Sequence, residues 1–204
     1  MLLPYQIPNL LEAGCDEAGR GPLAGSVFAA AVILPTDISL SKDPMLEILN
    51  DSKQLTEHQR LLLKPWIESV AVSCAVAEVT TQEIDKINIL NAAILAMQRA
   101  LAQLHPQPEH IIVDGNKWKP YVKEGDILET PANTVVKGDA MYLSIAAASI
   151  LAKTYRDEYM CRLDREYPMY HWRENKGYPT QAHYEALRQF GPSPYHRMTF
   201  NLSK

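Results

Sequence analysis

A short apolar run at residues 26–34, closed by Pro35, is the sequence feature that most constrains the fold. An uninterrupted apolar run of this length that ends at a proline is typical of a buried strand. Residues 11–17 lead into it through a glycine-rich turn at residues 19–25. Two apolar segments around such a turn predict a hairpin.

Strands and helices mix along the rest of the chain. Further strands are predicted at residues 71–79, 110–114 and 133–137. Helices are predicted at residues 56–70 with Thr56 as N-cap and Pro65 as a local irregularity, at 88–104, at about 140–167 and at 179–190. The long third helix carries a run of small residues that suits close packing on a sheet. This mixture predicts an α/β fold, with helices against a mixed sheet, in one domain of 204 residues.

Two classes of protein are disfavoured. The chain has no apolar run of about 18 residues and no basic, apolar leader at its start, so neither a membrane span nor a signal peptide is expected. The three cysteines, Cys15, Cys74 and Cys161, are scattered and form no CxxC pair. They indicate a reduced, cytoplasmic protein without a disulfide framework.

The charge is unevenly distributed along the chain. The net charge of −4 argues mildly against a binder of bulk polyanions. From residue 150 onward, however, nine basic residues stand against six acidic ones, a net charge of +3, whereas the first 149 residues carry −7. A basic end beside an acidic body fits a phosphate backbone touched at one place and metals held at another. Chance unevenness of surface charge explains it equally well.

Four acidic residues fall at the ends of predicted elements. Asp16 and Glu17 end the first strand, Asp114 ends another, and Asp139 opens the long helix; the small residues Ala18, Gly115 and Gly138 lie beside them. Hard divalent cations such as Mg²⁺ prefer carboxylates and water, and two such ions can promote phosphodiester hydrolysis. Successive strand residues point to opposite faces, so Asp16 and Glu17 share a site only if the strand distorts or turns there. Any one of the four would equally suit a solvated surface.

Five segments, in order, resemble the ribonuclease HII family. They are residues 15–25, residues 51–55, residues 113–116, residues 137–139 continuing through 144–153 to 156–157, and residues 175–180 followed by His183. The matches span residues 14 to about 199. A lone Asp-Gly-Asn would be weak, but five ordered segments are specific.

The resemblance implies an RNase H-like fold, a mixed central β-sheet flanked by helices, with a C-terminal helical extension at about residues 168–204 that contributes to substrate binding. It implies an endonuclease that hydrolyses the RNA strand of RNA–DNA hybrids and cuts 5′ of single ribonucleotides embedded in duplex DNA. The ends left are 3′-hydroxyl and 5′-phosphate. Two divalent ions, Mg²⁺ or Mn²⁺, are implied as cofactors, and a monomer is expected.

The resemblance also assigns site residues. Asp16, Glu17, Asp114 and Asp139 match the catalytic, metal-binding carboxylates, with Asp16 as the candidate to bridge two ions.

The substrate-binding residues follow from the same matches. Gly19-Arg20-Gly21 matches the turn that recognises the ribonucleotide, and Tyr178 matches a tyrosine that stacks on the next deoxynucleotide's sugar. A tight turn and a core tyrosine are the plain alternatives. Lys53 is a candidate phosphate contact, with a solvated lysine as its alternative, and Ser144 is a weaker candidate substrate contact.

Three further residues invite functional readings that we do not favour. Asp157 is expected to pair with Lys153 at the i, i+4 spacing of a helix. His183 and His196 resemble proton shuttles, but a metal-assisted reaction needs no such acid, and structural roles are expected for both.

Two other functions compete with this one. A ribonuclease HIII prefers longer hybrids, but that family commonly carries an N-terminal substrate-binding domain, for which the residues before Cys15 leave no room. A non-catalytic binding module on the same fold would be expected to lack an acid, and all four are present.

Overall fold

In a computed structural model the chain is described over residues 2–38 and 41–203. The strands are β1 (Glu12–Ala18), β2 (Val27–Ile33), β3 (Ser73–Val79), β4 (His110–Asp114) and β5 (Ala132–Val135). The helices are α1 (Met45–Ile48), α2 (Glu57–Val70), α3 (Thr81–Ile87), α4 (Ile89–Ala102), α5 (Leu143–Glu166), α6 (Trp172–Asn175) and α7 (Gln181–Phe190). Short 3-10 turns occupy Gly138–Ala140 and Pro168–Tyr170.

The strands form a mixed sheet in the order β3-β2-β1-β4-β5. β1 and β2 make the antiparallel hairpin predicted around the glycine-rich turn, and β3 pairs antiparallel with β2. β4 is parallel to β1, and β5 is parallel to β4. The mixed sheet with flanking helices confirms the predicted α/β fold.

Helices cover both faces of the sheet, because alternate residues of β1 point to opposite sides. Ala13 and Cys15 pack in one apolar cluster with α4. Ala18 packs in a second cluster with α5 and α2, to which the small residues of α5 contribute. The sheet is therefore the middle of three layers. None of the helices in the described ranges is long and apolar enough to cross a membrane.

The first half of the chain follows the predicted elements closely. α2 begins after Thr56, which forms a capping box with Gln59. Pro65 lies inside α2 without ending it, so the expected irregularity does not break the helix. The short helix α3 was not predicted, although Thr80 and Glu83 form a second capping box whose Thr-x-x-Glu pattern is visible in the sequence.

The long helix starts later than predicted. The sequence placed its start near Ala140 with Asp139 opening it, but α5 begins at Leu143. Asp139 lies instead in the preceding 3-10 turn, which Lys137 enters with a left-handed backbone (φ 58°). The last helix likewise begins at Gln181, because the hydroxyl of Thr180 accepts the capping hydrogen bond from the His183 amide.

Candidate active site

Three of the four predicted carboxylates converge. Asp16, Asp114 and Asp139 each offer an oxygen, and these atoms lie within 4.8 Å of one another. β1 and β4 are parallel neighbours whose last registered pair is Cys15 with Val113, so the next residues, Asp16 and Asp114, emerge side by side. Asp139 reaches them from the 3-10 turn that follows β5.

The Asp139 turn is held against Asp114. The Gly138 amide donates a hydrogen bond of 2.7 Å to Oδ1 of Asp114. A β-carbon at Gly138 would lie 2.6 Å from Cδ1 of Ile145 in α5, so a larger residue there would require the Ile145 side chain to move. One carboxylate thus positions the loop that carries another.

The cluster is electrostatically strained without a cation. Burial raises the pKa of Asp16 well above its ordinary value, and the charges of Glu17 and Asp114 raise it further. Burial, followed by the Asp114 charge, also raises the pKa of Asp139. Lys53 offsets part of this repulsion, since its Nζ lies 3.4 Å from Oδ2 of Asp139. A bound divalent cation would relieve the rest.

Glu17 is placed differently from the other three. Its carboxylate pairs with Arg20, whose Nη1 lies 3.2 Å from Oε1, and it is absent from the three-carboxylate cluster among the described residues. The physical reason is the regular antiparallel register of β1, which holds through Glu17 with Ala29 and Ala18 with Phe28. The strand distortion that the sequence suggested is not there, but the Glu17 charge still raises the pKa of Asp16, so Glu17 lies close to the cluster without joining it. A metal-binding role for Glu17 stays a prediction.

Two serines that the sequence did not single out support Asp16. Oγ of Ser52 and Oγ of Ser149 lie 2.8 Å apart. The Ser149 hydroxyl also hydrogen-bonds Asp16, which lowers the pKa of that carboxyl against the larger effect of burial. Ser149 sits in the predicted small-residue run of α5, but only the docking of that helix on β1 shows which hydroxyl faces the acid.

Ser144 does not face the cleft. It is buried, and its Oγ would lie 2.6 Å from a β-carbon at Gly14. The side chain is enclosed between α5 and β1, so we leave the expected substrate contact at Ser144 out of the proposed site.

An open cleft of about 640 Å³ gives access to the carboxylates. Its lining includes Asp114, Asp139, Lys53, Asn116 and Lys137. The Lys53 side chain is 75% exposed at the edge of this cleft, and its contact with a phosphate stays a prediction.

The glycine-rich turn and Tyr178 meet, although they lie far apart in sequence. Gly19 has φ +99°, and a β-carbon there would lie 2.0 Å from Nε of Arg156, so the position requires glycine. A β-carbon at Gly21 would lie 3.6 Å from Cε1 of Tyr178. Tyr178 keeps 43% of its surface exposed, so its ring is partly open to solvent, and its role in substrate binding stays a prediction.

The basic tail is only partly a surface feature, which corrects the charge argument. Arg156 and Arg197 are fully buried and donate to backbone carbonyls. Lys153 pairs with Asp157 at 2.6 Å, as expected. Fewer cations than the sequence counts are therefore free to meet phosphates.

The two histidines have structural positions. His183 and His196 are buried, with their Nε2 atoms 3.0 Å apart. Burial, followed by the charge of the neighbouring His183, lowers the pKa of His196 to about 4. Both rings pack against Trp172, away from the carboxylates, which supports the structural reading.

Comparisons with known proteins agree on one family. A family model described as ribonuclease HII matches residues 13–203. The ribonuclease HII of Phocaeicola vulgatus is 60% identical over 202 residues, covering 99% of this chain and 94% of that protein. The crystal structure of ribonuclease H2 from Pyrococcus horikoshii OT3 superposes with a TM-score of 0.75 at 30% identity, covering 94% of each chain. Bst-RNase HIII in complex with Mn²⁺ shares the fold at 20% identity, with a TM-score of 0.71 over 97% of this chain and 69% of that one.

Proposed function

This chain belongs to the ribonuclease HII family of metal-dependent endonucleases, and on that premise we propose that it cuts duplex DNA on the 5′ side of single embedded ribonucleotides. RNA strands of RNA–DNA hybrids are substrates in the same proposal. The observation that carries the proposal is that the carboxylate cluster and the glycine-rich turn both lie at the end of β1. Three converging carboxylates suit phosphodiester hydrolysis, and a glycine turn three residues beyond Asp16 suits recognition of a ribose.

The carboxylate cluster fits divalent cations. Its donors are oxygens only, which is the ligand set that Mg²⁺ and Mn²⁺ prefer. Burial, followed by the charges of neighbouring carboxylates, raises the pKa values of Asp16 and Asp139, and a bound cation would oppose both effects. Bst-RNase HIII, which shares this fold, was solved with Mn²⁺. We propose that Asp16, Asp114 and Asp139 hold two Mg²⁺ or Mn²⁺ ions, with Glu17 joining them once its carboxylate leaves Arg20.

Each residue has a defined task in this proposal. When bound, the ions supply activation of the attacking water and stabilisation of the leaving 3′-oxygen. Asp16, fixed by the Ser149 hydroxyl and by the Glu17 amide at 2.7 Å, would be a ligand shared by the ions. Lys53 contacts a phosphate at the rim of the cleft. The products are a 3′-hydroxyl and a 5′-phosphate.

Recognition of the junction rests on the turn and on Tyr178. Backbone groups of Gly19-Arg20-Gly21 lie close enough to the acids to meet a 2′-hydroxyl beside the scissile phosphate. The Tyr178 ring, in contact range of Gly21, stacks on the following sugar, where an extra hydroxyl fits poorly. One contact requires a ribose and the other favours a deoxyribose after it.

The competing readings receive less support. Identity to the P. vulgatus ribonuclease HII is 60%, against 20% to Bst-RNase HIII. A non-catalytic binding module would not need the three carboxylates of the cluster, which repel one another. A monomeric state, a cytoplasmic location and a substrate-binding role for residues 168–204 stay predictions.

The test is a cleavage assay with two matched duplexes, one all DNA and one carrying a single ribonucleotide. We expect the second alone to be cut, with Mg²⁺ or Mn²⁺ present and not in EDTA. Cleavage of both duplexes, or cleavage that persists in EDTA, would refute the proposal.

A further inference from the structure

Arg197 is buried beneath the glycine-rich turn and donates to four of its carbonyl groups. Its five hydrogen bonds run from Nη2 to Gly19 at 2.6 Å and Gly25 at 2.7 Å, from Nη1 to Arg20 at 3.0 Å and Pro22 at 2.8 Å, and from Nε to Gly25 at 3.0 Å. The Arg197 amide adds a bond of 2.9 Å to the Leu23 carbonyl. All donor groups of one side chain are therefore committed to the shape of this turn.

His196, the residue before Arg197, is linked to Tyr178 through His183. Nδ1 of His183 lies 3.0 Å from the Tyr178 carbonyl, which can only accept, so Nδ1 carries the proton. The Ser193 amide donates to Nδ1 of His196 at 2.8 Å, so a neutral His196 carries its proton on Nε2. That proton is donated to Nε2 of His183 at 3.0 Å. Nε2 of His183 also accepts from the indole N–H of Trp172 at 3.2 Å, so His196 is one of two donors that hold the His183 ring.

Residues 193–197 thus hold both halves of the recognition surface. Arg197 fixes the turn that carries Gly21, and His196, acting through His183, fixes the backbone of Tyr178. The two halves are also tied directly, because the Leu23 amide donates to the Gly177 carbonyl at 2.8 Å. Arg156 of α5 is a second tie, since it donates to the Ala24 carbonyl at 3.1 Å and to the Lys176 carbonyl at 3.0 Å, so residues 193–197 are one of two supports for this spacing.

We propose that residues 193–197 form a specificity brace that sets the spacing between the Gly19–Gly21 turn and Tyr178. Arg197 and His196 are positioning residues in it, and neither touches substrate. The inference rests on the proposed function, since it concerns discrimination at the junction. A displacement of about 1 Å at such a surface costs up to a hundredfold in rate, so a loosened brace lowers junction cleavage before it affects the metals.

Three variants separate this role from general stability. Arg197→Lys keeps the charge but loses the planar fork that reaches four carbonyls. His196→Leu removes one of the two donors to Nε2 of His183 and leaves that of Trp172, whereas His196→Gln restores an amide donor near the position of Nε2. Arg99→Lys on α4 is the matched control, because Arg99 also donates to a backbone carbonyl, that of Glu78, at 3.1 Å.

The readout is the ratio of kcat/KM on a duplex with one ribonucleotide to kcat/KM on a duplex with a run of four. We expect Arg197→Lys and His196→Leu to lower this ratio by about tenfold or more, with Mn²⁺ affinity by calorimetry unchanged. His196→Gln should recover most of the ratio, and Arg99→Lys should match the wild type. If Arg197→Lys does not fold, the two His196 variants decide.

An unchanged ratio in folded variants, or equal losses on both duplexes, would overturn the brace. Failure of the proposed function looks different, because the wild type itself would then leave the single ribonucleotide uncut. Hydrogen exchange gives a second reading on the free protein. Amides of residues 19–25 should exchange faster in Arg197→Lys than in wild type, and unchanged exchange there counts against the brace.

Discussion

Gly14 of β1 lies directly against the backbone of Ser144 in α5: a β-carbon at Gly14 would lie 2.3 Å from the Ser144 carbonyl carbon. It would also lie 2.4 Å from the amide nitrogen of Ile145, so no side chain fits between strand and helix. This contact sets how deeply α5 seats on the sheet. It thereby sets where Ser149 meets Asp16, two residues further along β1.

Gly14→Ala should therefore destabilise the protein and misplace the acids. Backbone atoms cannot rotate away as a flexible side chain would, so α5 must shift. We expect a loss of about 2 kcal/mol or more in the free energy of unfolding, measured by urea denaturation. Activity in the folded fraction should fall as well. A variant with wild-type stability and turnover would show that α5 does not position the site.

Asp16→Asn and Asp114→Asn should each abolish cleavage while leaving duplex binding largely intact. Asparagine keeps the size of the side chain but removes the charge that holds the ions. We expect single-turnover rates at low millimolar Mg²⁺ to fall at least about a hundredfold. Fluorescence anisotropy should show near-normal affinity for the duplex. Asp126→Asn, on an exposed loop, is the control that should remain active.

Asp16→Asn should also stabilise the metal-free protein at neutral pH. The pKa of Asp16 is raised in the folded state, so its ionised form opposes folding at pH values above that pKa. As the pH falls through the raised pKa, the wild type takes up a proton and the advantage of the variant shrinks. Thermal unfolding in EDTA at pH 7.5 and at pH 5.5 measures both effects. A lower Tm for the variant than for the wild type at pH 7.5 would contradict the raised pKa of Asp16.

The buried histidine pair should make the protein sensitive to mild acid. The pKa of His196 is lowered to about 4 in the folded protein. At pH values between its ordinary pKa and 4, this histidine is protonated in the unfolded chain and neutral in the folded protein. Stability is therefore lost as pH falls through this window. Between pH 7 and pH 5 the wild type should lose about 2 kcal/mol more than His196→Gln, measured by urea unfolding. Equal losses would mean that His196 is not held neutral.

Binding of the duplex should weaken with salt, but with a shallow slope. Arg156 and Arg197 are buried and bonded to carbonyls, so they neutralise no phosphate. The log–log slope of affinity against salt should fall well short of about −10, the value for some ten phosphate contacts. Anisotropy titrations with the Asp16→Asn variant measure it without cleavage. A slope near that value would show a larger basic surface than the fold displays.

Local pattern was enough to predict most of the sheet. The apolar runs at β2 and β4 and the glycine turn identified the strands and the hairpin within one or two residues. The start of α4 lies within one residue of the predicted residue 88, but the short helix α3 before it escaped prediction. The start of α5 was placed too early, because Asp139 belongs to a turn anchored on Asp114.

The residues of the site could be predicted from their types and from the family resemblance, but their arrangement in space could not. That Asp16 and Asp114 stand side by side depends on the parallel pairing of β1 with β4, which are nearly a hundred residues apart. The partners of Arg197 are likewise distant carbonyls, which carry no sequence signal. The charge count along the sequence therefore included Arg197 as a surface cation, although in the fold it is buried and hydrogen-bonds the glycine-rich turn.

The most direct test of the central claim is the position of the cut on end-labelled duplexes, resolved on a sequencing gel. One duplex carries a single ribonucleotide and the other a run of four. Junction recognition by the Gly19–Gly21 turn and Tyr178 predicts one cut, on the 5′ side of the single ribonucleotide. Even cutting along the run of four, with the single ribonucleotide left intact, would contradict it and favour a hybrid-preferring enzyme.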